Sequence, residues 1–394
     1  VSAMANETPP EEELFFDVGY SQLNKKNEEL CGDSIVVAES EDSLIVVCSD
    51  GLGSGVKASI LASLTSKMAS TMLQQGCTLE EVIETLAHTL PVCEVRGLAY
   101  STFSILQIMR DGRAYLAEYD SPAAYYGNSR RLLCIPWRER VIGERVIREA
   151  YLKLTAGDWV CFVSDGVLHA GIGGIWNLGW GEERVGSFLM NVAGKNEDAV
   201  STVDEVMALI NKLYDGSPGD DVSVVFMRTR QPNRLSMLFG PPQDRASDKE
   251  VVARLMGSTG KRVVCGGTTA NIVARELGKD LQVDLSSMDA KVPPTAFIDG
   301  IDLVSEGVLT VTYAIDKIRS GTRPHDLEYK RDGASRLAAL LLRGDRIEII
   351  VGRALNLAHQ NPDVPLTLGV KNKVVEDLVR MLEQGGKIVT VDYY

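Results

Sequence analysis

Two segments of the chain end an apolar strand on the same three residues. "SLIVVCSDG" (43–51) and "WVCFVSDG" (159–166) each run apolar and β-branched, then close on Ser-Asp-Gly. Runs of that length and composition read as buried strands. A third such strand, "VSVVF" (222–226), is preceded by Asp220 and Asp221, and Asp33 in "CGDS" opens a fourth, "SIVVAE". Each aspartate alone has a plain reading, because Asp-Gly is a common turn pair and strand ends are often solvated. Four acidic strand ends in one block have another. Strands that end on one edge bring their carboxylates together, and converged carboxylates repel unless hard divalent cations with oxygen ligands neutralise them.

The glycines of "DGLGSG" (50–55) admit a rival reading as a phosphate loop, but the spacing argues against it. A P-loop closes on Gly-Lys-Ser/Thr, whereas this segment runs on as "SGVKA" with Lys57 displaced. Gly51, Gly53 and Gly55 also miss the dinucleotide pattern G-x-G-x-x-G. Four histidines in the whole chain offer no zinc site of the usual kind. His169, just after "SDGVL", reads as a structural histidine near a strand end.

The order of elements places these motifs. Strands are expected at "FFDVGYS" (15–21), "SIVVAE" and "SLIVVCSD", followed by a helix over 56–76 and a second helix opened by the capping box Thr78-x-x-Glu81. Asp111-Gly112 turns a hairpin, and Gly127-Asn128 turns another within "AAYYGNSRRLLC". Helical patterns over 182–213 lead to the strand "DDVSVVFMRTR" (220–230). Many strands followed by paired helices imply two sheets covered by helices.

Composition shifts at "RQPNR", so the block is expected to end near Arg230. The expected organisation is a flexible tail over 1–14, a domain over 15–230 and a separate C-terminal α/β domain over 231–394. In that last domain Ser247-x-x-Glu250 is expected to cap a helix, "KRVVC", "RIEIIVG" and "KIVTVDY" to form strands, and "GASRLAALLLRG" (333–344) and "KNKVVEDLVRMLEQGG" (371–386) to form helices. "IDGIDLVSEG" (298–307) and "HQNPD" (359–363) read as polar loops. "CGGTTANIVARELG" sets two glycines and two threonines at a helix N-terminus. Thr268 and Thr269 could hold an anion there, or one of them could simply be the N-cap.

The net charge of −13 comes without a Lys/Arg cluster, which removes the basic face that nucleic-acid binding needs. No apolar run of about 18 residues is present, so no membrane span is expected. The polar, acidic start does not read as a secretory signal. Seven scattered cysteines without a CxxC pair fit reduced, mostly buried thiols in a cytoplasmic protein.

Five pieces in order, "GDS" (32–34), "SDGLGSG" (49–55), "DSPAAYYG" (120–127), "LTAGDWVCFVSDGV" (154–167) and "GDDVSVVFM" (219–227), carry a family resemblance. Residues 15–229 resemble the bacterial sporulation stage II E-type serine phosphatases, a branch of the metal-dependent 2C-type protein phosphatases. The resemblance implies a four-layer α-β-β-α sandwich, an α+β fold, and two Mn²⁺ or Mg²⁺ ions at one edge. It implies that Asp50 bridges the ions, that Asp33 and the Gly51 carbonyl complete one ligand set, and that Asp165 and Asp220 complete the other, with Asp221 the alternative to Asp220. It implies hydrolysis of phosphoserine or phosphothreonine on a protein, such as an anti-sigma-factor antagonist. Eukaryotic relatives grip phosphate with an arginine near the N-terminus; the corresponding region here offers Lys25 and Lys26. The competing expectations are an inactive phosphatase-fold sensor and a small-molecule phosphohydrolase. For 231–394, regulation, docking and homodimerisation remain open.

Overall fold

The computed structural model describes residues 13–40, 42–89, 101–143, 145–174, 176–196, 198–289, 291–354 and 368–394. The chain divides into two compact units between Gln231 and Pro232.

The first unit carries two sheets. One is ordered β1 (Phe15–Leu23), β11 (Val222–Arg230), β10 (Trp159–Val163), β6 (Tyr125–Gly127) and β7 (Leu132–Leu133). The other is ordered β2 (Asp33–Glu39), β3 (Ser43–Asp50), β4 (Phe103–Met109), β5 (Arg113–Tyr119), β9 (Arg145–Lys153) and β8 (Arg138–Ile142). Every pairing in both is antiparallel. The hairpin at Asp111-Gly112 forms as its turn chemistry requires, with Gly112 at φ 90°.

Alternation along the strands sorts their side chains onto two faces. Phe16, Val160, Phe162 and Val225 of one sheet share a buried cluster with Leu44, Val46, Leu106 and Leu116 of the other. The alternate residues Trp159, Cys161, Val224 and Phe226 pack with Val185 and Leu189 of α4 (Glu182–Lys195) and Val203 and Ile210 of α5 (Ala199–Leu213). On the second sheet, Ile45, Val47 and Ile105 pack with Ala69 and Leu73 of α1 (Gly55–Gln74) and Val82, Ile83 and Leu86 of α2 (Leu79–Thr89). The capping box that opens α2 is reciprocal: the Glu81 amide donates to Thr78 Oγ1 at 3.2 Å, and the Thr78 amide to Glu81 Oε2 at 2.8 Å. Cys161 is buried as expected, but Cys134 is exposed. A further helix of this unit, α3 (Asp165–Leu168), is a single turn that follows β10.

The second unit is built on one sheet with a parallel centre. β16 (Leu303–Ser305), β13 (Lys261–Cys265), β12 (Arg234–Phe239), β17 (Arg346–Val351) and β18 (Ile388–Tyr393) lie side by side and parallel, in that order. β15 (Thr295–Phe297) and β14 (Gln282–Asp284) extend the β16 edge antiparallel. Among the described residues six helices connect these strands: α6 (Asp248–Gly257), α7 (Gly267–Leu277), α8 (Val308–Arg319), α9 (Pro324–Glu328), α10 (Gly333–Arg343) and α11 (Leu368–Gln384).

Two local expectations change here. Ser247 makes no capping hydrogen bond, because a 3₁₀ turn over Arg245–Ser247, capped by Asp244, runs straight into α6. The segment 298–307 is not all loop, since Leu303–Ser305 pairs with β13 deep in the sheet. Three residues are too few to show a period between their acidic neighbours. The segment 359–363 lies outside the described residues.

Candidate metal centre

Antiparallel pairing brings the sequence-distant aspartates to common strand ends. β2 begins at Asp33 and β3 ends at Asp50, and the two are direct register partners. In the other sheet β10 pairs antiparallel with β11, so Asp165, two residues past β10, and Asp220, two residues before β11, also come to one end. All four line a single open cleft of about 580 Å³, together with Lys25, Ser223 and the loop residues Asp120, Ser121 and Pro122.

The two sheets are tied together at this point. Ser223 Oγ on β11 donates to Asp33 Oδ2 on β2 at 2.6 Å and accepts from Gln22 Nε2 at 2.9 Å. The adjacent acidic pair separates by direction. Asp220 faces the cleft, with Lys25 Nζ 3.3 Å from its Oδ1. Asp221 is buried, accepts from the Lys25 amide at 2.9 Å, and is not among the cleft-lining residues described.

Gly51 follows Asp50 at the start of the glycine-rich turn. A Cβ there would overlap the Ala58 carbonyl of α1, so the missing side chain lets α1 pack directly against the site. The element that comes close to Gly51 is therefore the helix backbone. Gly55 (φ 71°) opens α1, and Ser54 just before it donates to Glu28 Oε1 at 2.9 Å.

The electrostatics follow from this crowding. Burial raises the Asp50 carboxyl far above its ordinary range, and Asp33, Asp165, Asp220 and Asp221 raise it further. Asp33 is raised first by burial, with the Ser223 hydrogen bond opposing and Asp221 adding. Asp165 is raised by burial and then by Asp220. Negative charge in excess of the Lys25 ammonium, in a half-buried, oxygen-rich cleft, fits the hard divalent ions Mg²⁺, Mn²⁺ or Ca²⁺.

His169, which sequence reasoning read as structural, stands beside two of these aspartates. Ligand atoms of Asp165, His169 and Asp220 all lie within 4.8 Å of one another. The available signal was spacing: four residues after Asp165, across the single turn of α3, His169 returns to the same side. Thr268 and Thr269 lie in the other unit, at the first turn of α7, where Gly266 rather than either threonine is the N-cap.

Residues 40–230 match the model of the family described as stage II sporulation protein E (SpoIIE). No curated protein matches the chain. Among solved structures, the chain is similar to the PP2C phosphatase domain with a fragment of the regulatory domain of SpoIIE from Bacillus subtilis. The identity is 20%, over 55% of this chain and 64% of that one, with a TM-score of 0.47, so less than two thirds of that relative's length is spanned. It is also similar to the SiaA PP2C domain of Pseudomonas aeruginosa, at 17% identity over 53% of this chain and 85% of that one, with a TM-score of 0.43. A structure of RsbX in complex with magnesium is 16% identical over 54% of this chain and 95% of that one, with a TM-score of 0.40.

Proposed function

We propose, on the premise that residues 40–230 form a domain of the SpoIIE family, that this chain is a metal-dependent phosphatase acting on phosphoserine and phosphothreonine in a protein. The observation that carries the proposal is the convergence of Asp33, Asp50, Asp165 and Asp220 on one cleft. Asp33, Asp50 and the Gly51 carbonyl would hold one Mn²⁺ or Mg²⁺ ion, and Asp50, Asp165 and Asp220 a second. The chemistry such ions supply is a water acidified toward neutral pH and counter-charge for a phosphoryl group.

The chain's own groups prepare that chemistry. Ser223 fixes the orientation of Asp33 with a 2.6 Å hydrogen bond. Asp220 holds the Lys25 ammonium at the cleft wall, where it can meet a phosphoryl oxygen. Lys25 thus takes the place of the arginine that eukaryotic relatives use. Asp221 serves the backbone at Lys25, which supports Asp220 as the ligand of the pair.

The first unit is read as a four-layer α-β-β-α sandwich, and 231–394 as a separate α/β domain that regulates, docks or dimerises. The substrate is read as a small bacterial signalling regulator, such as an anti-sigma-factor antagonist, in the cytoplasm. Among the described residues no helix is long and apolar enough to cross a membrane.

The test is hydrolysis of p-nitrophenyl phosphate and of a phosphoserine peptide by the full chain, with Mn²⁺ and with chelator. Mn²⁺-dependent turnover of both is expected. Metal binding without turnover of either substrate would establish the inactive sensor instead. Faster turnover of phosphorylated metabolites than of any phosphopeptide would establish a small-molecule phosphohydrolase.

A further inference from the structure

The sheet of the C-terminal unit changes the side of its connections between β12 and β17. β12 leads into α6, whose Val251, Val252 and Leu255 pack with Leu238, Val264 and Ile350 on one face. The helix that follows β17 is α11, whose Val375, Leu378 and Leu382 pack with Met237, Ile349 and Val351 on the other. β12 and β17 are parallel neighbours. In open parallel sheets such a divergence leaves a crevice at the carboxyl ends of the strands, where ligands bind.

Here an ammonium group occupies that edge. Gly240 (φ 82°) follows β12 and Gly352 follows β17. Lys371, near the start of α11, donates from Nζ to the Gly352 carbonyl and stands 5.5 Å from the centre of the Phe239 ring. A Cβ on Gly240 would meet Nζ, so the bare glycine lets the ammonium lie where it does against the end of β12. Among the described residues no carboxylate pairs with this half-buried lysine, and burial lowers its pKa to about 8.

The neighbouring strand brings further donors. After β13, Gly266 (φ 120°) is the N-cap of α7, and no side chain caps that turn. The Ala270 amide closes on the Gly266 carbonyl, which leaves the amides of Gly267, Thr268 and Thr269 at the helix's open, electropositive end. Thr269 is fully buried, and its Oγ1 has no hydrogen-bond partner. That oxygen turns back toward Gly266, to 2.9 Å from where a Cβ would stand. Phe239 borders both features, because a Cβ on Gly307 would lie 3.7 Å from its ring and 3.6 Å from Gly266 Cα. Glu306, the nearby carboxylate, accepts instead from the Thr310 amide of α8 at 3.3 Å.

We propose that the carboxyl edge of this sheet binds the phosphate group of a small ligand between Lys371 and the first turn of α7, with the Thr269 hydroxyl as a further donor. Ammonium, uncapped amides and hydroxyl form a donor set for an oxyanion and not for a cation. The glycines at positions 240, 266 and 307 keep side chains out of its path. This site is independent of the acidic cleft in the first unit.

The test is calorimetric titration of the full chain in EDTA, which strips divalent ions from the acidic cleft. Inorganic phosphate is used in one arm and ADP in the other. Saturable binding at one site is expected in at least one arm; at least tenfold tighter binding of ADP identifies a nucleotide, and equal affinity or binding of phosphate alone identifies the free anion. Lys371→Met should weaken binding at least tenfold and Thr269→Val severalfold. Should Lys371→Met fail to fold, Thr268→Glu keeps the question open to measurement. Thr268 is exposed on the first turn, where a carboxylate suits the helix but fills the anion's place, so binding should be lost with the melting temperature unchanged. The proposal is overturned by absence of binding in both arms, by unaltered affinity in a folded Lys371→Met or Thr268→Glu protein, or by binding that requires added Mn²⁺.

Discussion

Asp33 and Asp50 face each other directly across the β2–β3 pair, at the end where β2 begins and β3 finishes. This pairing places two half-buried or buried carboxylates side by side. It makes the cleft costly to keep empty and favourable to fill with cations. Most of what can be tested about the first unit follows from that cost.

Asp50→Asn should remove the carboxylate assigned to both ions. Mn²⁺-dependent hydrolysis of p-nitrophenyl phosphate is expected to drop by more than about a hundredfold, beyond the usual loss for a residue that only orients a ligand. The metal-free variant should be more stable than wild type near neutral pH, because the amide abolishes a carboxyl whose folded pKa is raised by burial and by the neighbouring carboxylates. Retained turnover in the variant would sink the ligand assignment.

The metal-free protein should lose stability as pH rises. Asp33, Asp50 and Asp165 have folded pKa values above their unfolded ones, so the folded state binds more protons over that interval. Their contribution is whole below about pH 4, the unfolded carboxylate value, and fades as pH climbs through the raised folded values. Melting temperatures in EDTA should therefore fall from pH 5 toward pH 8, and Mn²⁺ should reduce that fall. A flat profile in EDTA would show that the carboxylates do not crowd each other.

Gly51 and Gly53 should respond differently to alanine. At Gly51 a methyl group meets the Ala58 carbonyl, so Gly51→Ala should cost about 1–3 kcal/mol by overpacking and reduce activity by shifting α1 from Asp50. Gly53 (φ 107°) has open space around it, so its alanine variant should cost about 1–2 kcal/mol through backbone conformation alone. Chemical denaturation with activity assays on both variants checks the contrast. Equal activity losses would mean that packing at Gly51 is not what holds the site.

Glu118→Gln should loosen one wall of the cleft. Glu118 is buried; its Oε1 accepts from the Ala124 amide at 2.7 Å, and its Oε2 pairs with Arg148 at 2.7 Å. Arg148 also donates to the Ser121 carbonyl at 3.0 Å, so one ion pair holds the loop that carries Asp120, Ser121 and Pro122. The substitution is expected to cost about 1–3 kcal/mol and to raise KM for a phosphopeptide, with Mn²⁺ affinity unchanged. Mn²⁺ affinity falling in step with activity would place the loop's effect at the metals instead.

Residues 1–231 expressed alone should fold and hydrolyse p-nitrophenyl phosphate in Mn²⁺, because that unit holds every proposed ligand and its own apolar clusters. Regulation, oligomeric state or protein-substrate preference should differ from the full chain. An insoluble fragment would mean that the two units share a core.

Local chemistry made much of this readable in advance. The Thr78–Glu81 box, the Asp111-Gly112 hairpin and the buried run "WVCFV" each depend on neighbours within a few residues, and sequence displays those neighbours. β12, central in the second sheet, was not marked by its own short run "RLSMLF" beside a composition boundary. β16 was hidden for the same reason, three residues between acidic turns.

By itself the sequence determined which residue types stand at the strand ends: aspartates at 33, 50, 165 and 220, with glycine after two of them. Only the tertiary structure decided which of them share a space. It turned Asp220 into the cleft and Asp221 toward the Lys25 backbone, brought His169 beside Asp165, and set Lys371 at the same sheet edge as α7. The physical reason is that direction and proximity between distant residues come from sheet register and helix packing. A one-residue step along a strand reverses the face a side chain points to, and no composition or motif records which partner the strand will find.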